Sequence, residues 1–188
     1  MLSMLVFLVV GFTLNSASAF TTAFSRWWGE SRGRLATFIL RNVLGIPLWV
    51  VGLILAVRSP SPPVFGTTIA TEALGWVLLG LASAVQILAL AALRLKAARP
   101  SVGDELVARG VYAHLRHPIY AGLLLQFAAF VLLKPRQTVV VAAVLGCVWV
   151  WVQAWLEEVD LVQRMPAYRE YMKRVPRFLP GLARRTRG

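Results

Sequence analysis

Three short stretches of the chain carry residue types that do chemistry rather than only fill space. The first runs Arg116-His117-Pro118-Ile119-Tyr120. Pro118 suits the first turn of a helix, where its missing N–H costs nothing. His117 then stands at the helix mouth, and Tyr120 follows within the first turn on the same side. Helix N-termini draw anions through unpaired N–H groups and the macrodipole, so this start can grip a carboxylate or phosphate. The plainer account is that Arg116 snorkels to lipid headgroups and Tyr120 belongs to an aromatic belt. His114 and His117 are spaced as metal ligands, but no third ligand stands near them in the sequence, so no metal is expected.

The second stretch is Gln153-Ala154-Trp155-Leu156-Glu157-Glu158-Val159-Asp160. Gln153, Glu157 and Asp160 follow at intervals of four and three, which sets them on one helical stripe. Carboxylates at a membrane boundary are costly and often functional, although Glu157 and Glu158 can also simply cap that boundary and pair with basic neighbours. The third stretch is Tyr168-Arg169-Glu170-Tyr171, on a short amphipathic segment that Pro176 and Pro180 stop. It reads equally as an interfacial helix held to anionic lipid or as a lid over a pocket.

The elements that must position these residues are set by composition. The chain has 188 residues, 58% of them hydrophobic and only 15% charged. A soluble domain is roughly 45–50% apolar and about 25% charged, and its core does not need long charge-free runs. A soluble enzyme and a disordered chain are both excluded. The single cysteine, Cys147, can supply neither an intramolecular disulfide nor a thiolate metal cage. The net charge of +12 would suggest nucleic acid in a soluble protein, but here topology accounts for it and no nucleic-acid partner is expected.

Apolar runs cover 1–25, 42–57, 73–93, 118–133 and 138–156, which predicts an all-α integral membrane protein of about five transmembrane helices. Seventeen Lys and Arg fall in 26–41, 94–116 and the tail after the fifth run, against three (Arg58, Lys134, Arg136) in the other connections. The positive-inside rule then predicts an outer N-terminus and a cytoplasmic C-terminus. Trp27, Trp28, Trp151 and Trp155 fall near the same inner boundary. Ala17-Ser18-Ala19 is similar to a signal-peptidase site, but no basic segment precedes it, so the first helix is expected to be retained. The chain divides into 1–103, holding the first three helices, and a catalytic half, 104–188, within one membrane domain. In that half the fourth helix begins where the fifth ends, which predicts that His117 and Tyr120 face Gln153 and Glu157.

Together these stretches resemble the isoprenylcysteine carboxyl methyltransferase family of integral-membrane enzymes. The matching pieces are Leu106-Val107-x-x-Gly110-Val111-Tyr112, Arg116-His117-Pro118-Ile119-Tyr120-Ala121-Gly122, Glu157-Glu158-x-x-Leu161, and Tyr168-x-x-Tyr171 with Arg174-Val175-Pro176-x-x-Leu179-Pro180. The resemblance implies S-adenosylmethionine as methyl donor. It implies that Asp104, Glu105, Leu106, Val107 and Tyr112 line the donor, that His117, Pro118, Ile119 and Tyr120 grip it, and that Glu157 holds it from the fifth helix. His117, Tyr112 and Tyr120 can donate, Glu157 can accept, and the Leu/Val segment can bury an aromatic base.

One position departs from the pattern. The family has a substrate-binding arginine one turn before the glutamate, where this chain has Gln153. An amide lacks the charged, bidentate fork of a guanidinium, and Arg116 or Arg94 is the expected substitute. The resemblance implies methyl transfer to a lipophilic acceptor drawn from the bilayer, most like an isoprenylcysteine carboxylate. That acceptor is already ionised, so positioning rather than base catalysis would carry the reaction. Arg116 and Glu158 are the expected catalytic pair. For a phospholipid amine or a small thiol, Glu158 or His117 would gain a general-base role. A membrane protein without catalysis, binding anionic lipid through its basic face, is the alternative from another class.

Overall fold

The computed structural model describes residues 1–93 and 105–180. Among these residues the chain is helical throughout, with no strand and one isolated bridge, Pro63 to Arg136. The helices are α1 (Leu2–Ala17), α2 (Thr21–Trp28), α3 (Glu30–Phe38), α4 (Ile46–Arg58), α5 (Ile69–Leu93), α6 (Pro118–Leu133), α7 (Gln137–Arg164) and α8 (Tyr168–Arg174). A π-helical segment, Ile39–Gly45, joins α3 to α4, and a 3₁₀ turn, Gly110–Ala113, precedes α6.

Among the described residues three helices are long and apolar enough to cross a membrane: Glu30–Arg58 taken as one, Ile69–Leu93 and Gln137–Arg164. The count becomes four if the bent pair α1 and α2 is a single span. The expected five therefore reduces to three or four by helix length. The first apolar run does not stay straight, because the chain bends by 63° between α1 and α2. At that elbow the Ser18 hydroxyl donates back to the Asn15 carbonyl at 2.5 Å, and Asp160 takes the Thr22 N–H at 2.8 Å to cap α2. The fourth run, Pro118–Leu133, has only 16 residues, short of the roughly 20 that a span needs.

The second span begins earlier than its apolar run, at Glu30 rather than near residue 42. Pro47 has no N–H to close an α-turn, and its ring presses on the carbonyl one turn back. The chain takes the wider π turn just before it, a feature often found at functional sites.

Close helix crossings fix the bundle. Met4, Leu8, Phe12 and Asn15 recur on one face of α1 and pack against α4. A Cβ at Gly52 would stand 2.7 Å from the Leu8 Cγ, so this crossing requires glycine. α5 and α6 form the most extensive helix pair, and α6 packs on α7. At one end of the bundle the Val64 N–H donates to Pro135, the Gln137 N–H to Pro62, and the Thr138 hydroxyl to Ala56 at 2.7 Å. Those contacts tie the proline-rich loop to the α6–α7 turn. The opposite end gathers the α1–α2 elbow, the start of α6, the end of α7 and α8, and there a cavity opens.

Candidate functional site

The cavity has a volume of about 520 Å³, within the range of roughly 300–1,000 Å³ that takes a cofactor or substrate. It draws on both halves of the chain, from the α1–α2 elbow, the π turn, α4 and α5 as well as from 105–120, α6, α7 and α8. All four tyrosines of the protein, Tyr112, Tyr120, Tyr168 and Tyr171, line it.

Among the described residues Glu157 is one of its three carboxylates, with Glu105 and Asp160. Its Oε1 accepts from the Tyr120 hydroxyl at 2.6 Å, from Arg41 Nη2 at 2.8 Å and from Gln153 Nε2 at 3.2 Å. The His117 Nδ1 stands 4.0 Å from its Oε2. Tyr120 stacks on His117 with the ring centroids 5.5 Å apart, so the start of α6 presents both side chains to α7 as the spacing predicts.

Glu158 points elsewhere. It is buried, and its Oε1 meets His117 Nε2 at 3.0 Å and Arg177 Nε at 3.1 Å, with Arg116 Nη1 also at 3.0 Å. Arg177 Nη2 reaches its Oε2 at 2.5 Å. Backbone bonds reinforce this cluster, since the N–H groups of Arg116 and His117 donate to the carbonyls of Pro176 and Arg177 at 2.9 and 3.1 Å. Residues 175–178 are thus strapped across the start of α6. Phe178, the buried end of the strap, meets Trp151 edge-on at 5.1 Å.

The tyrosines outside the helical spans are held neutral. Burial raises Tyr112 and Tyr168 well above the ordinary phenol range, helped by the negative charges of Glu157 and Glu158 respectively. Burial pushes Tyr171 up to about 12, with Arg116 opposing the shift. Tyr171 donates to the Tyr112 carbonyl at 2.5 Å and so fixes the 3₁₀ turn. Tyr168 is only 3% exposed and lines the cavity, yet its hydroxyl has no hydrogen-bond partner among the described residues. A buried donor left unpaired in a cavity wall is costly unless a ligand completes it.

Of the residues singled out from the sequence, Glu105, Leu106, Val107, Tyr112, Arg116, His117, Ile119, Tyr120 and Glu157 line the cavity. Pro118 is buried beside it, and Asp104 and Arg94 lie outside the described residues. Gln153 is 0% exposed and is not among the lining residues; it stands behind Glu157 as a donor to it. Sequence reasoning missed Arg41, which reads as a mere boundary charge before an apolar run, and Arg177, hidden in a basic tail. The signal for Arg41 was its place four residues before Gly45 and six before Pro47, where a helix must widen.

The donor and acceptor set fits S-adenosylmethionine. Glu157 offers acceptor oxygens for an ammonium or ribose hydroxyls, Tyr168 offers an unpaired donor, and Leu106 and Val107 offer an apolar wall for a base. A sequence model of the phospholipid methyltransferase family matches residues 70–165. Neither the comparison with curated proteins nor that with solved structures gives a significant match.

Proposed function

The chain belongs to the phospholipid methyltransferase family, and from that premise we propose that it is an S-adenosylmethionine-dependent enzyme methylating a lipophilic acceptor, most like the carboxylate of an isoprenylcysteine. Membership makes it a membrane methyltransferase, in keeping with its long apolar helices. The observation that carries the finer reading is the meeting, in one cavity, of Glu157 with the start of α6 and the unpaired hydroxyl of Tyr168.

Bound S-adenosylmethionine supplies a methyl group on a positively charged sulfur. Glu157, with His117 and Tyr120 fixed against it, holds the polar part of that donor from α7. Tyr168 and Tyr112 act as neutral walls and donors, because burial keeps their protons on. The strap through Arg177 and Glu158 excludes water from the start of α6 and strengthens the electrostatic contacts inside. An ionised carboxylate acceptor needs no base, and Glu158, locked between His117 and two arginines, is poorly placed to be one. Rate would then come from orienting a lipid nucleophile against the donor.

The family description favours one second reading, a phospholipid amine as acceptor. That nucleophile must shed a proton, and Glu157 and His117 are the titratable groups of the cavity nearest the task. The seventeen basic residues support a cytoplasmic catalytic face. The test is methyl transfer from labelled S-adenosylmethionine by the purified protein to a farnesylcysteine analogue, phosphatidylethanolamine and an alkyl thiol. Selective labelling of the farnesylcysteine analogue supports the reading. Labelling of phosphatidylethanolamine replaces it with the second, and absence of donor binding removes both.

A further inference from the structure

A guanidinium inside an apolar span is expensive and calls for a partner or a task. Arg41 sits within the span Glu30–Arg58, on its π turn, and lines the cavity with its side chain 17% exposed. We propose that Arg41 is the specificity-determining residue of the acceptor site, where it receives an anionic group, a carboxylate or a phosphate, carried by the lipid substrate. The inference rests on the methyltransferase reading and names the substrate class that reading leaves open.

Three observations converge on it. First, Arg41 stands where the cavity changes character. Farther along the same span Ile46 and Trp49 line the cavity too, as do Leu90 of α5 and Leu123 of α6, which gives it an apolar wall. α4 and α5 both border the cavity and make no substantial interface with each other among the described residues, so this apolar wall is shared by two helices that do not close on one another. Second, the guanidinium is pre-oriented. Its Nε donates to the Ser18 hydroxyl at 3.2 Å, and its Nη2 to Glu157 at 2.8 Å. Glu157 is the group assigned to the donor, so Arg41 places an anion on the donor's side of the cavity. Third, the other arginines lining the cavity pair with carboxylates other than Glu157. Arg116 pairs with Glu158 at 3.0 Å and Arg164 with Asp160 at 3.1 Å. Gln153, on α7, does not reach the cavity. Among the described residues, Arg41 is the cavity arginine that pairs with Glu157.

A guanidinium suits both carboxylate and phosphate through paired N–H donors. It also discriminates against an acceptor whose only charge is an ammonium, which it would repel next to a positively charged donor. The N-terminal third of the chain, outside the family match at 70–165, would thus set acceptor choice while Glu157 and His117, inside the match, hold the donor.

The test is equilibrium binding to full-length protein in nanodiscs, so that turnover is not needed. The probes are S-farnesyl-3-thiopropionic acid with its carboxamide, and dodecyl phosphate with dodecanol. Wild type is expected to prefer an anionic probe over its neutral partner by about ten-fold or more. Preference for the acid pair points to a carboxylate lipid, and preference for the phosphate pair to a phospholipid. Arg41→Gln should erase the preference and Arg41→Lys keep part of it. Because Arg41→Gln strands the Glu157 charge, the double variant Arg41→Gln/Glu157→Gln is measured too, and it should show the same erasure with wild-type melting. Glu157→Gln alone should widen the preference, since the guanidinium is no longer neutralised. Anion preference unchanged in both Arg41→Gln variants overturns the proposal. So does a large loss of S-adenosylmethionine affinity in Arg41→Gln with anion preference intact, which would assign Arg41 to the donor's own carboxylate. Anion preference that depends on Arg41, in a protein that binds no S-adenosylmethionine, would instead sink the methyltransferase reading and leave the anion site standing.

Discussion

Glu157 and Glu158 are consecutive on α7 and face different surroundings: Glu157 takes Tyr120, Arg41 and Gln153 at the cavity wall, whereas Glu158 is turned into a cluster of His117, Arg116 and Arg177. A helix rotates about 100° per residue, so adjacent side chains serve different spaces. His117 links the two, with one ring nitrogen 3.0 Å from Glu158 and the other 4.0 Å from Glu157.

That division predicts different losses. Glu157→Ala should weaken S-adenosylmethionine binding by about ten- to a hundred-fold, or roughly 1.5–3 kcal/mol, because a charged hydrogen-bond partner is gone. Glu158→Ala should act mainly on stability, since it leaves Arg116 and Arg177 without their shared carboxylate and frees the strap. Calorimetric titration and thermal melting on both variants separate the effects. Equal loss of donor affinity, with equal melting, would contradict the division.

Tyr168→Phe removes a buried hydroxyl that no described residue satisfies. The apo protein should melt at the same temperature or slightly higher, because an unpaired polar group disappears. Donor affinity should fall about two- to ten-fold, the worth of one neutral hydrogen bond. A destabilised variant with unchanged affinity would place the hydroxyl's partner in the protein rather than the ligand.

Gln153→Arg should bring no gain toward an anionic acceptor. The position is closed, and its amide already points at an oxygen that Arg41 reaches at 2.8 Å. A larger, second guanidinium there should cost on the order of 1–3 kcal/mol in overpacking alone. The expected readout is a lower melting temperature with no improvement in acceptor KM. A clear improvement would show that α7 can open toward the cavity.

The tyrosine environment makes an alkaline prediction. An unfolded tyrosine ionises near pH 10, whereas folded Tyr171 is pushed up to about 12 and Tyr112 and Tyr168 are also raised. The unfolded chain therefore releases these protons first. Stability from the three groups is whole below pH 10 and drains as pH rises from there through the folded values. In a Tyr120→Phe background, ultraviolet phenolate absorbance should stay flat through pH 10 and rise together with loss of helix. Phenolate at pH 10 in intact protein would show that the site is wet.

Much of this site can be read from residue types. Pro118 announces the start of α6, and the intervals from Gln153 to Glu157 and Asp160 announce a shared stripe, so the meeting of His117, Tyr120 and Glu157 follows from sequence. What spacing could not supply was direction within the stripe: Gln153 turns inward behind Glu157, and Asp160 also caps α2. The N-terminal half was harder. Charges at Arg32, Arg34 and Arg41 interrupt the apolar pattern, so the span reads as beginning near residue 42, whereas a π turn before Pro47 carries one helix from Glu30 to Arg58. Hydropathy is blind to such a turn, and with it to Arg41.

The strap across α6 also bears on biogenesis. Residues 176–178 leave the ribosome only after every helix described here has been made, and their carbonyls are what the Arg116 and His117 N–H groups require. Until then the helices can insert, but the start of α6 lacks the partners that fix it. A nascent or C-terminally clipped chain would be a membrane-inserted bundle in which His117, at the mouth of α6, is not yet held against α7.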